Sequence, residues 1–264
     1  MIEALRRHWP EYLMEAWGLS LFMISACLFG VLLEYSGSPL RQAVPDAAAR
    51  RVLMGAAMGL TAVINIYSPW GQRSGAHLNP SVTLTFWRLG KVASRDAVFY
   101  VLFQFLGGVA GIAIATLLLM GSLASPSVNF VATIPGPAGP GAAFVAEVII
   151  SFFLMTTVLL VSNAKRLNRL TGLFAGLLVA LYISIEAPIS GMSMNPARSF
   201  ASAWGAGLWT GFWIYLIAPP LAMLAAAQIY LALRGRAEVR CAKLHHENDK
   251  RCIFRCGYGT PPRP

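Results

Sequence analysis

Charge is scarce in this chain. Asp, Glu, Lys and Arg together make up 12% of the 264 residues, whereas an average soluble domain carries about a quarter. Cysteine occurs only four times, and hydrophobic residues reach 56%. So few charges would be unusual in a soluble globular domain, and the composition therefore favours a protein embedded in a membrane.

Runs that almost lack charge recur at about 20 residues, the length at which a helix crosses a bilayer. Six such runs predict membrane-spanning helices, at roughly 12–33, 50–70, 96–121, 141–162, 171–188 and 208–233. Two more helical segments begin at Asn79 and Asn195. They are too short to span, so they are predicted to be re-entrant half-helices. The predicted fold class is an all-α membrane protein.

The predicted spans contain no sign of catalysis. They carry no pairing of a nucleophile with a base, no glycine-rich nucleotide loop and no metal-ligand motif. We therefore expect neither enzymatic activity nor a cofactor.

The formal net charge of +10 would suit a nucleic-acid partner, but its distribution argues for a lipid bilayer instead. Basic residues collect at alternate ends of the spans, at Arg6, Arg7, Arg88, Lys91, Arg95, Lys165, Arg166, Arg169, Arg234, Arg236 and Arg240. The link at 122–142 has no charge, whereas the link after the first span is an exception to the pattern. The asymmetry predicts cytoplasmic N- and C-termini. The expected location is a bacterial inner membrane.

A short motif occurs once in each half of the chain, as Asn79-Pro80-Ser81 and as Asn195-Pro196-Ala197. The offset is 195 − 79 = 116 residues, which predicts similar halves at about 10–121 and 141–233, together forming a channel domain at 1–233. Proline suits the first position of a helix and asparagine suits its N-cap, so each asparagine caps a half-helix and keeps its NH₂ group free. If the half-helices meet head to head, two amides and two positive dipole ends face one point. That point can hold a water oxygen and repel cations; the alternative is two capped helices without a transport role.

The sequence resembles the major intrinsic protein family, the aquaporins and glycerol facilitators, over about residues 10–233. The resemblance rests on Ser-Gly-Ala-His-Leu-Asn-Pro-Ser-Val-Thr (74–83) and Gly-Met-Ser-Met-Asn-Pro-Ala-Arg-Ser-Phe (191–200), with Glu15, Glu147, Gln104 and Pro219. It implies six tilted helices and two half-helices in an inverted repeat, one pore in each subunit, and a homotetramer.

By the same resemblance, Arg198 lines the outer constriction, and a charge within a membrane segment also suggests function by itself. Glu15 and Glu147 are expected to accept hydrogen bonds from the backbone of the re-entrant loops, which we favour over a proton-relay role. Gln104 is expected to support a loop as well. For His77, loop anchoring is favoured over a cytoplasmic gate.

The selectivity filter is predicted at four positions. Counting back from the second motif without gaps places one filter residue at Ile183 and another at Met192. Orthodox water channels usually carry His at the first of these positions, and many water channels carry Cys at the second. The position in the second span falls on Met58 or Gly59, and Met58 is favoured because Ala-Met-Gly-Leu at 57–60 resembles the family pattern. Together with Arg198 this ring has one polar wall and three apolar ones, and such a ring would not enforce a water-only geometry.

Other positions resemble water channels rather than glycerol facilitators. Ser199 stands where facilitators typically have Asp, Ala203 where they have a basic residue, and Phe212-Trp213 matches the aromatic pair of water channels. Ser81 replaces the usual Ala and is expected to be tolerated.

The last segment, 234–264, is basic and is predicted to be a disordered cytoplasmic tail. It contains Cys and His residues that could ligate zinc, although their spacing fits no standard zinc finger: Cys241, His245, His246, Cys252 and Cys256.

The sequence therefore predicts a passive channel for water, with small uncharged solutes as further permeants. The principal alternative is a facilitator for glycerol, urea or undissociated metalloid acids. A structural membrane protein with a vestigial pore, and an intramembrane enzyme or ion channel that uses Glu15 and Glu147, are the alternatives from other classes.

Overall fold

The computed structural model describes residues 1–258, and within that range the chain forms helices and no strand. In chain order the α-helices are α1 (Ile2–Glu34), α2 (Pro39–Ala43), α3 (Ala47–Tyr67), α4 (Pro69–Ser74), α5 (Pro80–Arg88), α6 (Ser94–Leu119), α7 (Gly139–Ser162), α8 (Thr171–Ile185), α9 (Ala187–Ser190), α10 (Pro196–Ala206) and α11 (Phe212–Arg234). Six helices of the described range are long and apolar enough to span a membrane, namely α1, α3, α6, α7, α8 with the 3₁₀ turn before it, and α11. The predicted fold class is confirmed.

Helix ends follow local chemistry. α3 stops at Tyr67 because Pro69 cannot continue it, and the Ser68 hydroxyl then caps α4 by accepting a hydrogen bond of 3.0 Å from the Gly71 amide. α11 starts at Phe212, later than the sequence predicts, because Gly211 before it has a positive φ of 67°.

The halves pack as a repeat. α1 packs most extensively on α6, and its counterpart α7 packs on α11. Each half-helix crosses into the other half, since α10 packs on α6 and α5 on α11. The midplane of the molecule is therefore built jointly by both halves.

The remaining long pair, α3 and α8, crosses at small residues. A methyl group added to Gly59 would lie 2.5 Å from the Gly176 carbonyl oxygen, and one added to Gly55 would lie 2.4 Å from that of Ala180. Only glycine lets the two backbones approach so closely.

The tail differs from the predicted disorder. Residues 239–256 pack against the end of the helical domain at which α1 begins and α11 ends. We call this end the termini side. Val239, Ala242 and Leu244 are buried there, and the Leu244 amide donates to the Gly75 carbonyl over 3.1 Å. The charge content that predicts disorder is local, whereas these contacts are made with residues far away in the sequence. Residues 259–264 of the predicted tail lie outside the described range.

Candidate functional site

Two asparagines from opposite halves meet at the centre of the molecule. Asn79 donates its side-chain amide to the Met194 carbonyl, and Asn195 donates its own to the Leu78 carbonyl, both over 2.7 Å. Each NH₂ group has two hydrogens, so one is used in this reciprocal pair and one remains for a molecule in the cavity. The sequence predicted that capping leaves these NH₂ groups free to point elsewhere, but it did not identify the carbonyl oxygens to which they donate.

The same side chains cap their half-helices. The Asn79 Oδ1 accepts from the Ser81 amide over 2.8 Å. The Asn195 Oδ1 accepts from the Ala197 amide over 3.1 Å and from the Arg198 amide over 3.3 Å. Pro80 and Pro196 occupy the first helical positions, as expected for residues without an N–H. The positive ends of both half-helices thus lie beside the central pair.

The chain enters each half-helix through a strained loop, and we call residues 75–79 the first re-entrant loop and 191–195 the second. Ala76 and Leu78 have φ of 55° and 51°, and their counterparts Met192 and Met194 have 49° and 54°. Left-handed backbone at non-glycine residues costs of the order of 1–3 kcal/mol each, so surrounding contacts must hold both loops.

Glu15 and Glu147 make those contacts. Glu15 accepts from the His77 amide over 3.1 Å, from the Leu78 amide over 2.6 Å and from the Gln104 amide group over 2.8 Å. Glu147 accepts from the amides of the second loop at Ser193, over 2.6 Å, and at Met194, over 2.8 Å. Both acids are fully buried, and their oxygens bind loop N–H groups.

Two further pairs of residues support the loops, and the sequence reasoning missed both. Ser74 and Ser190 each donate to the buried glutamate of their half, over 2.7 and 2.8 Å. Tyr100 donates to the Ser74 carbonyl over 2.6 Å, and Tyr215 does so to the Ser190 carbonyl over 2.5 Å. The signal was available, because 215 − 100 = 115 and 190 − 74 = 116 repeat the motif offset within one residue.

His77 is held on all sides. Its Nε2 lies 2.8 Å from the Ala242 carbonyl oxygen, which can only accept, so Nε2 carries a hydrogen and donates. Its Nδ1 lies 3.0 Å from the Thr83 hydroxyl, and its ring stacks between Phe86 and Phe254. This arrangement is that of an anchor between the first re-entrant loop and the tail.

One elongated cavity of about 330 Å³ runs past these groups. Its lining includes both central asparagines and all four residues of the predicted filter, Met58, Ile183, Met192 and Arg198. Leu244 of the tail lines its termini-side end, and Glu34 and Arg51 line the opposite end. The two asparagines, His77 and the four filter residues therefore lie along one cavity. The other predicted site residues are buried and do not line it, namely Pro80, Ser81, Pro196, Ala197, Glu15, Glu147 and Gln104.

The choice between Met58 and Gly59 follows from the helix crossing. Met58 is buried and lines the cavity, whereas Gly59 faces the backbone of α8. Of the two, only Met58 can present a side chain to the cavity.

Two arginines line the cavity, and each has a buried N–H group without a partner among the described residues: Nη1 of Arg198 and Nε of Arg51. Buried polar groups are normally hydrogen-bonded, so such donors indicate places where water or another polar molecule binds. The sequence reasoning named Arg198 but missed Arg51.

These features define a class: an integral, multi-pass membrane protein of two related halves whose re-entrant half-helices meet at a shared cavity. The chain belongs to the major intrinsic protein family, whose sequence model matches residues 4–230.

Individual relatives agree with that assignment. The chain is 38% identical over 183 residues to aquaporin NIP1-1 of Arabidopsis thaliana, covering 67% of this chain and 60% of that protein. It is 36% identical over 180 residues to nodulin-26 of Glycine max, covering 67% and 63%. A probable NIP-type aquaporin of Nicotiana alata is 34% identical over 178 residues, covering 67% and 64%. The matches thus span less than two thirds of these relatives.

A solved structure shares the fold. The aquaglyceroporin of Plasmodium falciparum superposes with a TM-score of 0.66 at 20% identity, covering 84% of this chain and 95% of that one. The similarity supports the architecture of six spans and two half-helices.

Proposed function

We propose that the protein is a passive channel for water that also conducts small uncharged solutes. The observation that carries the proposal is the central pair, in which the amides of Asn79 and Asn195 and two half-helix N-termini lie beside one continuous cavity. A water oxygen there accepts from the remaining amide hydrogens. The positive dipole ends repel cations, and orienting each water at this point interrupts a chain of proton transfers.

The predicted filter supports a permeability wider than water alone. Met58, Ile183 and Met192 offer flexible apolar walls to the CH groups of a solute, while Arg198 donates to its hydroxyl or carbonyl groups. A facilitator for glycerol, urea or undissociated metalloid acids is therefore the second candidate. An intramembrane enzyme or ion channel that uses Glu15 and Glu147 is disfavoured because both carboxylates accept hydrogen bonds from the re-entrant loops.

The proposed channel is a homotetramer in a lipid bilayer with both termini in the cytoplasm. The exposed faces of the spans are rich in large apolar side chains, which suits contact with lipid and with neighbouring subunits of a homotetramer. Cytoplasmic termini follow from the distribution of Lys and Arg. The named relatives are plant proteins, and they give no support to the bacterial inner membrane expected from the sequence.

Stopped-flow light scattering on proteoliposomes tests the proposal. Vesicles that contain the protein should shrink faster than empty vesicles in an impermeant osmolyte, with a low activation energy. They should then re-swell measurably in glycerol or urea. Water flux no faster than that of empty vesicles would refute the channel, and absent re-swelling would restrict it to water.

Arg198→Val should favour solutes. Without the guanidinium the filter loses its polar wall and widens, so the ratio of glycerol to water flux should rise about tenfold, the equivalent of about 1.4 kcal/mol in relative barrier. Arg51→Val is the matched control, since Arg51 lines the same cavity nearer its end and should alter the ratio less. An unchanged ratio in Arg198→Val would remove this residue from the filter.

Ile183→His and Met192→Ala should shift selectivity in opposite directions. The imidazole adds a second polar wall and bulk, so solute flux should fall more than water flux. Removing the thioether widens the ring, so solute flux should rise. Ile185→His is the control, because Ile185 lies on α8 as well but is 64% exposed on its outer surface. Shifts in the same direction, or none in either variant, would contradict the filter assignment.

A further inference from the structure

The tail segment that contributes Leu244 to the cavity lining brings four metal-ligating side chains together. The Sγ atoms of Cys241, Cys252 and Cys256 and a ring nitrogen of His246 all lie within 4.8 Å of one another. The Sγ atoms of Cys241 and Cys252 are 3.6 Å apart, and the Cys256 Sγ is 3.0 Å from the His246 Nε2. Two thiolates on one tetrahedral zinc ion are separated by about 3.8 Å, since each Zn–S bond is about 2.3 Å. The cluster therefore needs only small movements to enclose an ion.

The spacing of the ligands is irregular, with four, five and three residues between successive ligands. That irregularity is why the sequence alone fits no standard zinc finger. The fold compensates, because Tyr258 stacks on His246 with ring centroids 4.3 Å apart, and the Tyr258 hydroxyl donates to the Ser162 carbonyl over 3.2 Å. The ring of one ligand is thus oriented by the channel itself.

The donor set selects the metal. Three thiolates and one imidazole in a four-coordinate arrangement suit Zn²⁺, whereas Mg²⁺ and Ca²⁺ prefer oxygen ligands. Binding requires no oxidant: each thiol releases its proton to solvent as its Zn–S bond forms, and the neutral imidazole donates a lone pair. Lys243, between two ligands, is buried and donates its ammonium to the Lys250 carbonyl over 2.9 Å.

The described part of the tail forms no core of its own and packs on the helices of the channel domain. Its secondary structure within the described range is the 3₁₀ turn Arg236–Glu238, and its buried apolar residues are few. A bound metal ion would add to the stability of such a segment, because the free energy of binding becomes free energy of folding.

The residues between the ligands face the channel. Leu244, between Cys241 and His246, lines the termini-side end of the cavity. Phe254, between Cys252 and Cys256, stacks on His77 with ring centroids 5.4 Å apart and lies against Gly75. Folding the segment around an ion would therefore hold Leu244 at the termini-side end of the cavity. It would also hold Phe254 against His77 of the first re-entrant loop.

We propose that Cys241, His246, Cys252 and Cys256 bind one Zn²⁺ ion, and that the ion holds the tail in a position where Leu244 narrows the cavity. The binding site stands independently of transport, and the narrowing rests on the proposed channel function. Loss of zinc frees the segment, and an apolar constriction that limits the passage of water is thereby opened.

Metal content tests the site. The full-length protein, purified in detergent with Zn²⁺ and freed of excess, should hold about one zinc ion per chain by elemental analysis, and Co²⁺ in its place should give thiolate-to-cobalt absorption of a tetrahedral site. Cys252→Ser with Cys256→Ser should lose most of the zinc and this absorption. Cys27→Ser is the matched control, because Cys27 is buried in α1, away from the cluster, and should keep both. Equal zinc in the double variant and the control would overturn the site. So would a Cys241–Cys252 disulfide in protein purified without an oxidant, detected as two cysteines that, in denaturant with a chelator, are alkylated only after a reductant is added.

Water flux tests the regulation. Proteoliposomes of the zinc-loaded protein should conduct several-fold more water after treatment with a membrane-permeant zinc chelator, and Cys27→Ser should respond equally. The double cysteine variant should be fast and insensitive to the chelator. Leu244→Ala should retain zinc but conduct fast from the start. Fast flux in every sample, unaltered by zinc, would refute the regulation while leaving the channel intact, whereas flux at the level of empty vesicles in every sample would refute the channel itself.

Discussion

Glu147→Leu is expected to abolish the folded protein. The carboxylate accepts hydrogen bonds from the Ser190 hydroxyl and from the amides of Ser193 and Met194, all buried. Leucine leaves these three donors without a partner, at about 1–3 kcal/mol each, or roughly 3–9 kcal/mol in total. A natural protein has only about 5–15 kcal/mol of stability to lose.

The experiment compares detergent-solubilised variants by thermal unfolding and size-exclusion chromatography. Glu147→Gln should fall between the wild type and Glu147→Leu, because its amide oxygen can still accept while its NH₂ group opposes the loop donors. Ser151→Ala is the matched control: Ser151 lies one turn further on α7, is fully buried, and its hydroxyl has no partner among the described residues. Its removal should be nearly neutral. A Glu147→Leu protein as stable as this control would show that the loop does not depend on the acid.

Asn195→Asp is expected to reduce water flux by an order of magnitude or more. The amide that donates to the Leu78 carbonyl over 2.7 Å is replaced by an oxygen that can only accept, so two acceptors face each other. The added negative charge also lies where two half-helix N-termini repel cations. Any variant protein that folds should therefore leak cations.

Water flux and cation flux are measured on the same vesicles, the second with a cation-sensitive dye inside. Asn79→Asp is the symmetry control, since Asn79 makes the equivalent bond to Met194 and should fail in the same way. Wild-type water flux with intact exclusion of cations in either variant would contradict the midplane model.

The sequence predicted the spans because the bilayer imposes a length and an apolar composition that can be recognised within each segment by itself. It also predicted where the half-helices begin, because Asn before Pro is a local helix-start signal, and the repeat indicated that the two starts belong together. Glu15 and Glu147 were connected with the loops through the family resemblance and because non-helical backbone at membrane depth needs hydrogen-bond partners.

Other features depend on which distant residues meet. The hydrogen bond from Tyr100 to Ser74 and the reciprocal bonds of the asparagines involve partners whose pairing no local pattern reveals. The tail is the clearest case. Its composition is polar and basic, yet Phe254 is buried against His77 and Leu244 is buried at the termini-side end of the cavity. Composition predicts whether a segment can form its own core, whereas the tail packs its apolar residues into the core of the channel domain.

The reciprocal asparagine bonds also constrain the order of events during biosynthesis. They join residues 115 and 117 positions apart, so the first half enters the bilayer long before its partners are translated. Until Asn195 arrives, the Leu78 carbonyl and the Asn79 amide lack their final partners at membrane depth, where an unpaired polar group is costly. The nascent first half must therefore wait in contact with water, with lipid headgroups or with the insertion machinery. Completion of the second loop then replaces these temporary partners with the Asn195 amide and the Met194 carbonyl.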